Sequence, residues 1–257
     1  MIENKIIKHI CIGHKAMDYS PNVDYMYLTP ISLGIHNEFV IEDTRFGENV
    51  NGQSLSEYSQ LFGLMDMIKS GEVNADYLHL FQYRKFLSPT NGGYNSIASW
   101  VKILTPDMAT KFFPKEEDFQ IENTNLITGG IFNFGESNVS MYNKTHVLED
   151  FLMFVACCKD NKISNEDIRF FSMMHGIIPS PTLTFISVEL FIKHMEILKR
   201  IGLDYLNNYH VNRIGYQSRS IGYLLERLHS KIIYDELSHG NLINIPVWNR
   251  FVINSNI

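Results

Sequence analysis

The chain has 257 residues, 45% hydrophobic and 19% charged, the balance of an ordinary globular domain with a sizeable core. Its net charge of −6 argues against nonspecific nucleic-acid binding. Three cysteines, two of them adjacent, make a poor disulfide framework, and no run of ~18 apolar residues is long enough to span a membrane. The expected setting is a reducing, cytoplasmic compartment. The N-terminal apolar stretch is too short and too interrupted for a signal peptide.

Residues 6–12 are short and β-branched and read as a first strand, followed by Gly13-His14-Lys15. Two more short strands are predicted at 25–28 and 39–41, then a polar loop over 43–53. Ser54 and Glu57 have the spacing of a capping box. Leu55, Tyr58, Leu61, Phe62, Met65 and Ile68 then recur on one face of a helix that Gly71 stops. An apolar strand follows at 75–83, and a helix returning to such a strand suggests a βαβ unit.

Farther along, strands are predicted at 97–104, 125–134 and 182–187. Helices are predicted at 146–159, 165–175, 188–206 and 218–237. Ser164 is placed to cap the second of these, with Asp167 in its first turn. Gly240 ends the last helix, and the tail from Asn241 reads as irregular structure wrapping back. No linker divides the chain into independent domains.

Familiar catalytic signatures are absent: no P-loop, no dinucleotide-binding glycine fingerprint, no Gly-x-Ser-x-Gly, no His-Glu-x-x-His. The cysteines lack zinc spacing, and no Asp-x-Asp occurs. Glu116-Glu117-Asp118 follows Pro114 rather than a strand and reads as a solvated loop. Charge is uneven, with eight Lys or Arg against five Asp or Glu between 190 and 250. Solvated helix faces are the plain explanation; a phosphate site or a contact with anionic lipid is the functional one.

Four features carry chemistry on this outline. They are His14-Lys15 after the first strand, the loop Asp43…Gly47-Glu48-Asn49, the strand end Gln82-Tyr83-Arg84-Lys85, and Arg219…Glu226-Arg227 on the last helix. The first three fall on the ligand side of an α/β sheet. Together they can hold a diphosphate with cations in place of a metal, because a planar guanidinium binds phosphate oxygens in pairs.

With these blocks in order, the chain resembles the DUF4422 family of bacterial capsular and exopolysaccharide glycosyltransferase-like proteins. The matching segments are Ile10–Lys15, Pro30–Gly34, Gly47-Glu48-Asn49-Val50, the helix and strand through Lys85, and Arg219–Leu228. They cover roughly 6–88 and 183–237; the middle matches only in length and character. Three positions depart from the family. Gln60 stands where a glutamate is usual, Gln82 replaces a histidine and Lys85 a second arginine. Glu57, one turn before Gln60, is placed to cover the missing carboxylate.

The resemblance implies a GT-A-like, Rossmann-type α/β sandwich with a helical C-terminal part, in one domain. A nucleotide-sugar-binding part would span 1–135 and a mainly helical acceptor part 136–257. It implies transfer of a sugar from a UDP-linked donor, UDP-galactofuranose being one candidate, to a surface glycan or its lipid-linked precursor. The enzyme would be cytoplasmic, with peripheral contact at the inner membrane face as a further expectation. Lys15, Arg84 and Arg219 or Arg227 would meet the diphosphate. His14, Asn49, Gln82 and Tyr83 complete the donor set, with Tyr83 on the uracil or a sugar hydroxyl. Glu48 and Asp43, then Glu226, are the candidate bases. No cofactor is assigned, and a divalent metal stays open. The rival reading is a noncatalytic nucleotide- or glycan-binding module of a polysaccharide-assembly complex.

Overall fold

The computed structural model describes residues 5–42, 55–119, 124–239 and 246–255. Strands β1 (Ile7–Ile12), β2 (Tyr25–Thr29) and β3 (Glu38–Val40) open the chain as predicted. Helix α1 (Tyr58–Lys69) follows, and Gly71 stops it with a φ of +80°. Only half of the expected capping box lies within the described residues. Glu57 is the N-cap residue but makes no side-chain cap bond, and Ser54 lies outside the described residues.

Strand β4 (Tyr77–Gln82) is buried throughout. Its polar end is a tight reversal, since Tyr83-Arg84 form a two-residue turn into the antiparallel β5 (Lys85–Ser88). Next come β6 (Tyr94–Asn95) and β7 (Lys102–Leu104), so only the last three residues of the predicted strand 97–104 are extended. Helix α2 (Pro106–Phe112) has Thr105 as its cap and proline in its first turn. Glu116–Phe119 form a 3-10 turn rather than an open loop, with the acidic side chains outward and Phe119 buried. The strand predicted at 125–134 is broken at Gly130-Ile131 into β8 (Leu126–Gly129) and β9 (Phe132–Asn133).

Helices α3 (Asn138–Thr145), α4 (Leu148–Asp160) and α5 (Asn165–Met173) form the next block. Ser164 caps α5, accepting from the Asp167 amide at 3.0 Å. Strand β10 (Gly176–Ile177) pairs with β9 as a separate ribbon. Strand β11 (Thr184–Ser187) feeds α6 (Val188–Asn208); α7 (Ser220–His239) and β12 (Val247–Ile253) complete the chain. From Val247 the tail is therefore a strand paired on both sides rather than irregular structure, while Gly240 and residues 241–245 lie outside the described residues.

The main sheet has the order β3-β2-β1-β4-β11-β8-β12-β7-β6, with β5 bridging β4 and β12. Strands β1 to β4 are parallel, and β11 runs antiparallel to both its neighbours. Helices α1 and α3–α7 cover one face over Ile10, Ile12, Leu28, Leu78 and Leu80. The other face is aromatic, with Phe81, Phe86, Phe113 and Phe251 beside the stack of Phe119 on Phe185. Each such side chain contributes roughly 1.5–3 kcal/mol by leaving water, enough to define both layers.

Candidate functional site

The chain reverses direction in the sheet between β1 and β4: β2 and β3 add on one side of β1, β4 on the other. Loops leaving the carboxyl ends of two such strands diverge and open a crevice. A cavity of about 820 Å³ sits there, floored by Ile12-Gly13-His14 and the turn after β4. Gly13 is needed, because a Cβ would stand 2.1 Å from the Tyr27 hydroxyl and 3.0 Å from Tyr83 Cβ. That hydroxyl donates to the Lys15 carbonyl and holds the loop after β1.

Three walls close the cavity. The β4–β5 turn supplies Gln82, Tyr83, Arg84 and Lys85; the start of α1 supplies Glu57 and Gln60; α7 supplies Gly222, Tyr223 and Glu226, with Arg219 just before it. Arg219, Tyr223 and Glu226 are spaced four and three apart and so share one helical face. Gly222 lets α7 approach α1, since a Cβ would lie 2.7 Å from Ser56 Cβ. The Arg219 guanidinium donates to Ser56 Oγ and lies 5.6 Å from the centre of the Tyr223 ring.

Polar contacts tie the walls together. Glu57 accepts from Gln82 Nε2 at 2.7 Å and from Thr182 Oγ1. Burial raises the pKa of Glu57; the Thr182 bond opposes this, Glu226 raises it further, and Lys85 and Arg219 lower it. Glu226 accepts from the Ser180 amide at 2.8 Å, and Lys85 Nζ reaches Ser180 Oγ at 3.4 Å. Ser180 has a φ of +49° in the left-handed region. That conformation costs a non-glycine residue roughly 1–3 kcal/mol and is typical of backbone held in place at a site. The pKa of His14 is lowered by burial, with Lys15, Arg219 and Arg84 adding to the effect, so its imidazole is neutral at pH 7. Its ring meets the Tyr83 edge at 5.1 Å.

Of the residues named from sequence, His14, Gln82, Tyr83, Arg84, Arg219 and Glu226 come together in this cavity. Lys15 is exposed and is not among its lining residues. Arg227 is turned away. Its side chain is buried 4.9 Å over the Tyr142 ring, and Nη1 donates to the Tyr223 carbonyl at 3.0 Å. It follows Glu226 by one residue, which puts the two on different faces of α7. Asp43, Glu48 and Asn49 lie outside the described residues. Ser180, Tyr216 and Tyr223 line the cavity without having been singled out. Only an assembled fold brings these distant segments together. Among the described residues, no group of three or more His, Cys, Asp or Glu is placed to hold a metal ion.

Four of the eight basic residues of the C-terminal part are paired with carboxylates within the fold. Lys193 pairs with Glu236, Lys199 with Asp66, Arg213 with Glu149 and Asp150, and Lys231 with Asp167 and Asp235. That half of the basic charge is therefore structural, and Arg219 is the member of the other half that faces the cavity. Among the described residues, no helix is long and apolar enough to cross a membrane.

No family model and no curated protein matches the sequence. Among solved structures, the apo form of the WbbM bifunctional glycosyltransferase has a similar fold, with a TM-score of 0.74 over 97% of this chain at 17% identity. The chain spans 45% of that protein's length, so the likeness concerns one part of a longer molecule.

Proposed function

We propose that this protein is a glycosyltransferase that takes its sugar from a nucleotide-diphospho-sugar and passes it to a glycan. The observation that supports this best is the convergence of Arg84, Lys85 and Arg219 with Glu57 and Glu226 in one crevice at the carboxyl ends of β1 and β4. The crevice lies in a chain folded like part of a bifunctional glycosyltransferase. We read the architecture as GT-A-like and the chain as a relative of the DUF4422 proteins, with a UDP-sugar as donor and a surface polysaccharide or its lipid-linked precursor as acceptor.

In such a transfer the anomeric carbon gains positive character and the departing diphosphate gains negative charge. Cations aimed at the diphosphate lower the barrier by meeting charge that is largest in the transition state. Arg84, Lys85 and Arg219 are placed for that work. A carboxylate must take the acceptor's proton. Glu226 fills that role, held by the Ser180 amide. Both Glu57 oxygens accept from Gln82 and Thr182, so Glu57 orients the β4–β5 turn.

One observation favours a noncatalytic nucleotide- or glycan-binding module instead. Gln60 and Gln82, which differ from the resembled family, both line the cavity. Neither amide can act as a base.

The test is thermal unfolding with UDP, GDP, CMP and dTDP, each in EDTA and in Mn²⁺, followed by turnover of UDP-sugars. A nucleotide at about a hundred times its Kd stabilises the folded state by ~2.7 kcal/mol. Stabilisation by UDP in EDTA, with sugar release, is the expected result. Stabilisation only with Mn²⁺ would require a metal at the diphosphate. Binding without turnover would select the module, and no response to any nucleotide would remove the transferase reading and leave a glycan-binding module.

A further inference from the structure

The cavity has an aromatic edge that the diphosphate chemistry does not use. Tyr216 lines the cavity on the α7 side yet is 63% exposed, a large ring left in water at the mouth. It is not loosely held. The ring lies parallel to His146, 8° between planes and 5.7 Å between centres, and 5.1 Å from the Tyr223 ring. It sits in the 3-10 turn Gly215–Arg219, which Gly215 opens at a φ of +60° and a bond from Ser218 Oγ to the Gly215 carbonyl closes at 2.7 Å.

The backing residue is pinned as well. Gln217 Nε2 donates to the Thr145 carbonyl at 3.0 Å, so Gln217 Oε1 is the acceptor for His146 Nδ1 at 3.3 Å, which must carry the proton. Burial pushes the His146 pKa down to about 4, with Arg227 adding to the effect and the Gln217 bond opposing it. The imidazole is therefore neutral at pH 7, a flat uncharged support. Ordering an exposed tyrosine costs side-chain entropy. Here that cost is already met in the free protein, the condition under which a ring binds a flat partner with little further ordering.

We propose that Tyr216 is the stacking platform for the acceptor sugar, with His146 and Gln217 as its positioning residues. This rests on the transferase reading above. The chemistry is that of a sugar ring laid on a π face, because the polarised C–H bonds of one pyranose face meet the negative face of the aromatic ring. The placement favours the acceptor over the donor's base. Tyr216 lies in the turn that leads into the α7 wall carrying Glu226, whereas His14 and Pro30, just past the ends of β1 and β2, stand where a nucleotide enters a sheet of this kind.

The experiment is saturation-transfer NMR with methyl β-D-galactopyranoside, methyl β-D-glucopyranoside and methyl α-D-mannopyranoside. Wild type, Tyr216→Ala and Tyr216→Phe are compared, with thermal shifts by UDP and uridine on the same proteins. At least one glycoside should contact wild type and Tyr216→Phe. It should bind Tyr216→Ala about tenfold or more weakly, ~1.4 kcal/mol. The UDP shift should be unchanged in all three. Equal glycoside binding by Tyr216→Ala, or no glycoside contact with wild type, would overturn the proposal. Loss of the UDP and uridine shifts in Tyr216→Ala would overturn it in favour of a nucleobase platform. If UDP fails to shift even wild type, the donor reading falls, and the glycoside arm still decides the role of Tyr216 separately.

Discussion

Two arginines of α7 and its preceding turn, eight residues apart, show how position decides role. Arg219 lines the cavity and bonds Ser56, while Arg227 is buried over Tyr142 with no carboxylate partner among the described residues. Burial lowers the Arg227 pKa, with the nearby Glu226 opposing this. A buried charge without an ion pair is replaceable by an apolar side chain of similar volume at little or no loss. Arg227→Met should therefore leave stability and UDP affinity nearly unchanged. Arg227→Ala should lose roughly 2–4 kcal/mol, because the space it leaves cannot fully collapse. Arg84→Ala and Arg219→Ala should show the reverse pattern, with a small change in unfolding midpoint and a large loss of turnover. Urea unfolding beside a sugar-release assay separates the two patterns; full turnover in both cavity variants would end their assignment to the diphosphate.

At the level of elements, the cavity depends on how closely α7 meets the start of α1. Gly222 allows that approach. In an exposed helix interior, Gly→Ala is favourable by about 1 kcal/mol. At this position the added carbon would stand 2.7 Å from Ser56 Cβ, so Gly222→Ala should instead destabilise by roughly 1–3 kcal/mol and weaken UDP binding as Arg219 is displaced. A raised unfolding midpoint in this variant would mean that the two elements are free to part. The longer elements were legible because they carry either helical periodicity, as α1 and α6 do, or a compact apolar run, as β1 and β4 do. Helices α2 and α3 were missed, although Thr105 and Ser137 cap them, because seven and eight residues are too few to display an apolar face. Strand β12 was missed because it follows a stretch punctuated by Gly240, two asparagines and Pro246, and its partners β5, β7 and β8 are distant in sequence. The site was half legible for the same reason. Residues at strand ends announce themselves, whereas Tyr216, Tyr223 and Ser180 acquire a place only when α7 with its preceding turn and the turn before β11 meet at the cavity.

Across the whole molecule, the histidines matter more to pH response than the net charge does. His79, His194 and His229 are almost fully buried, and His9 nearly so. Burial pushes His79 and His229 well below the usual histidine value, with His9 and His194 respectively adding to the effect. It takes His194 down to about 4 and lowers His9, in each case against a nearby carboxylate, Glu236 or Glu116. His146 also falls to about 4. These imidazoles stay neutral in the fold but take up protons near pH 6.5 once the chain unfolds. The unfolded state therefore binds more protons below pH 6.5, and stability must fall as pH drops from there toward 4. Each such group contributes at most ~1.4 kcal/mol per pH unit. Glu57 works in the opposite sense. Its raised pKa lets the folded chain take up a proton first, adding stability as pH falls through that value, but it is one group against several lowered histidines. Urea midpoints at pH 7.5, 6.0 and 5.0 should decline progressively, with an unchanged denaturant slope. A midpoint constant down to pH 5.0 would mean that the folded protein protonates these rings, and that the His9–His79 contact, with Nδ1 atoms 3.0 Å apart, opens to admit the charge.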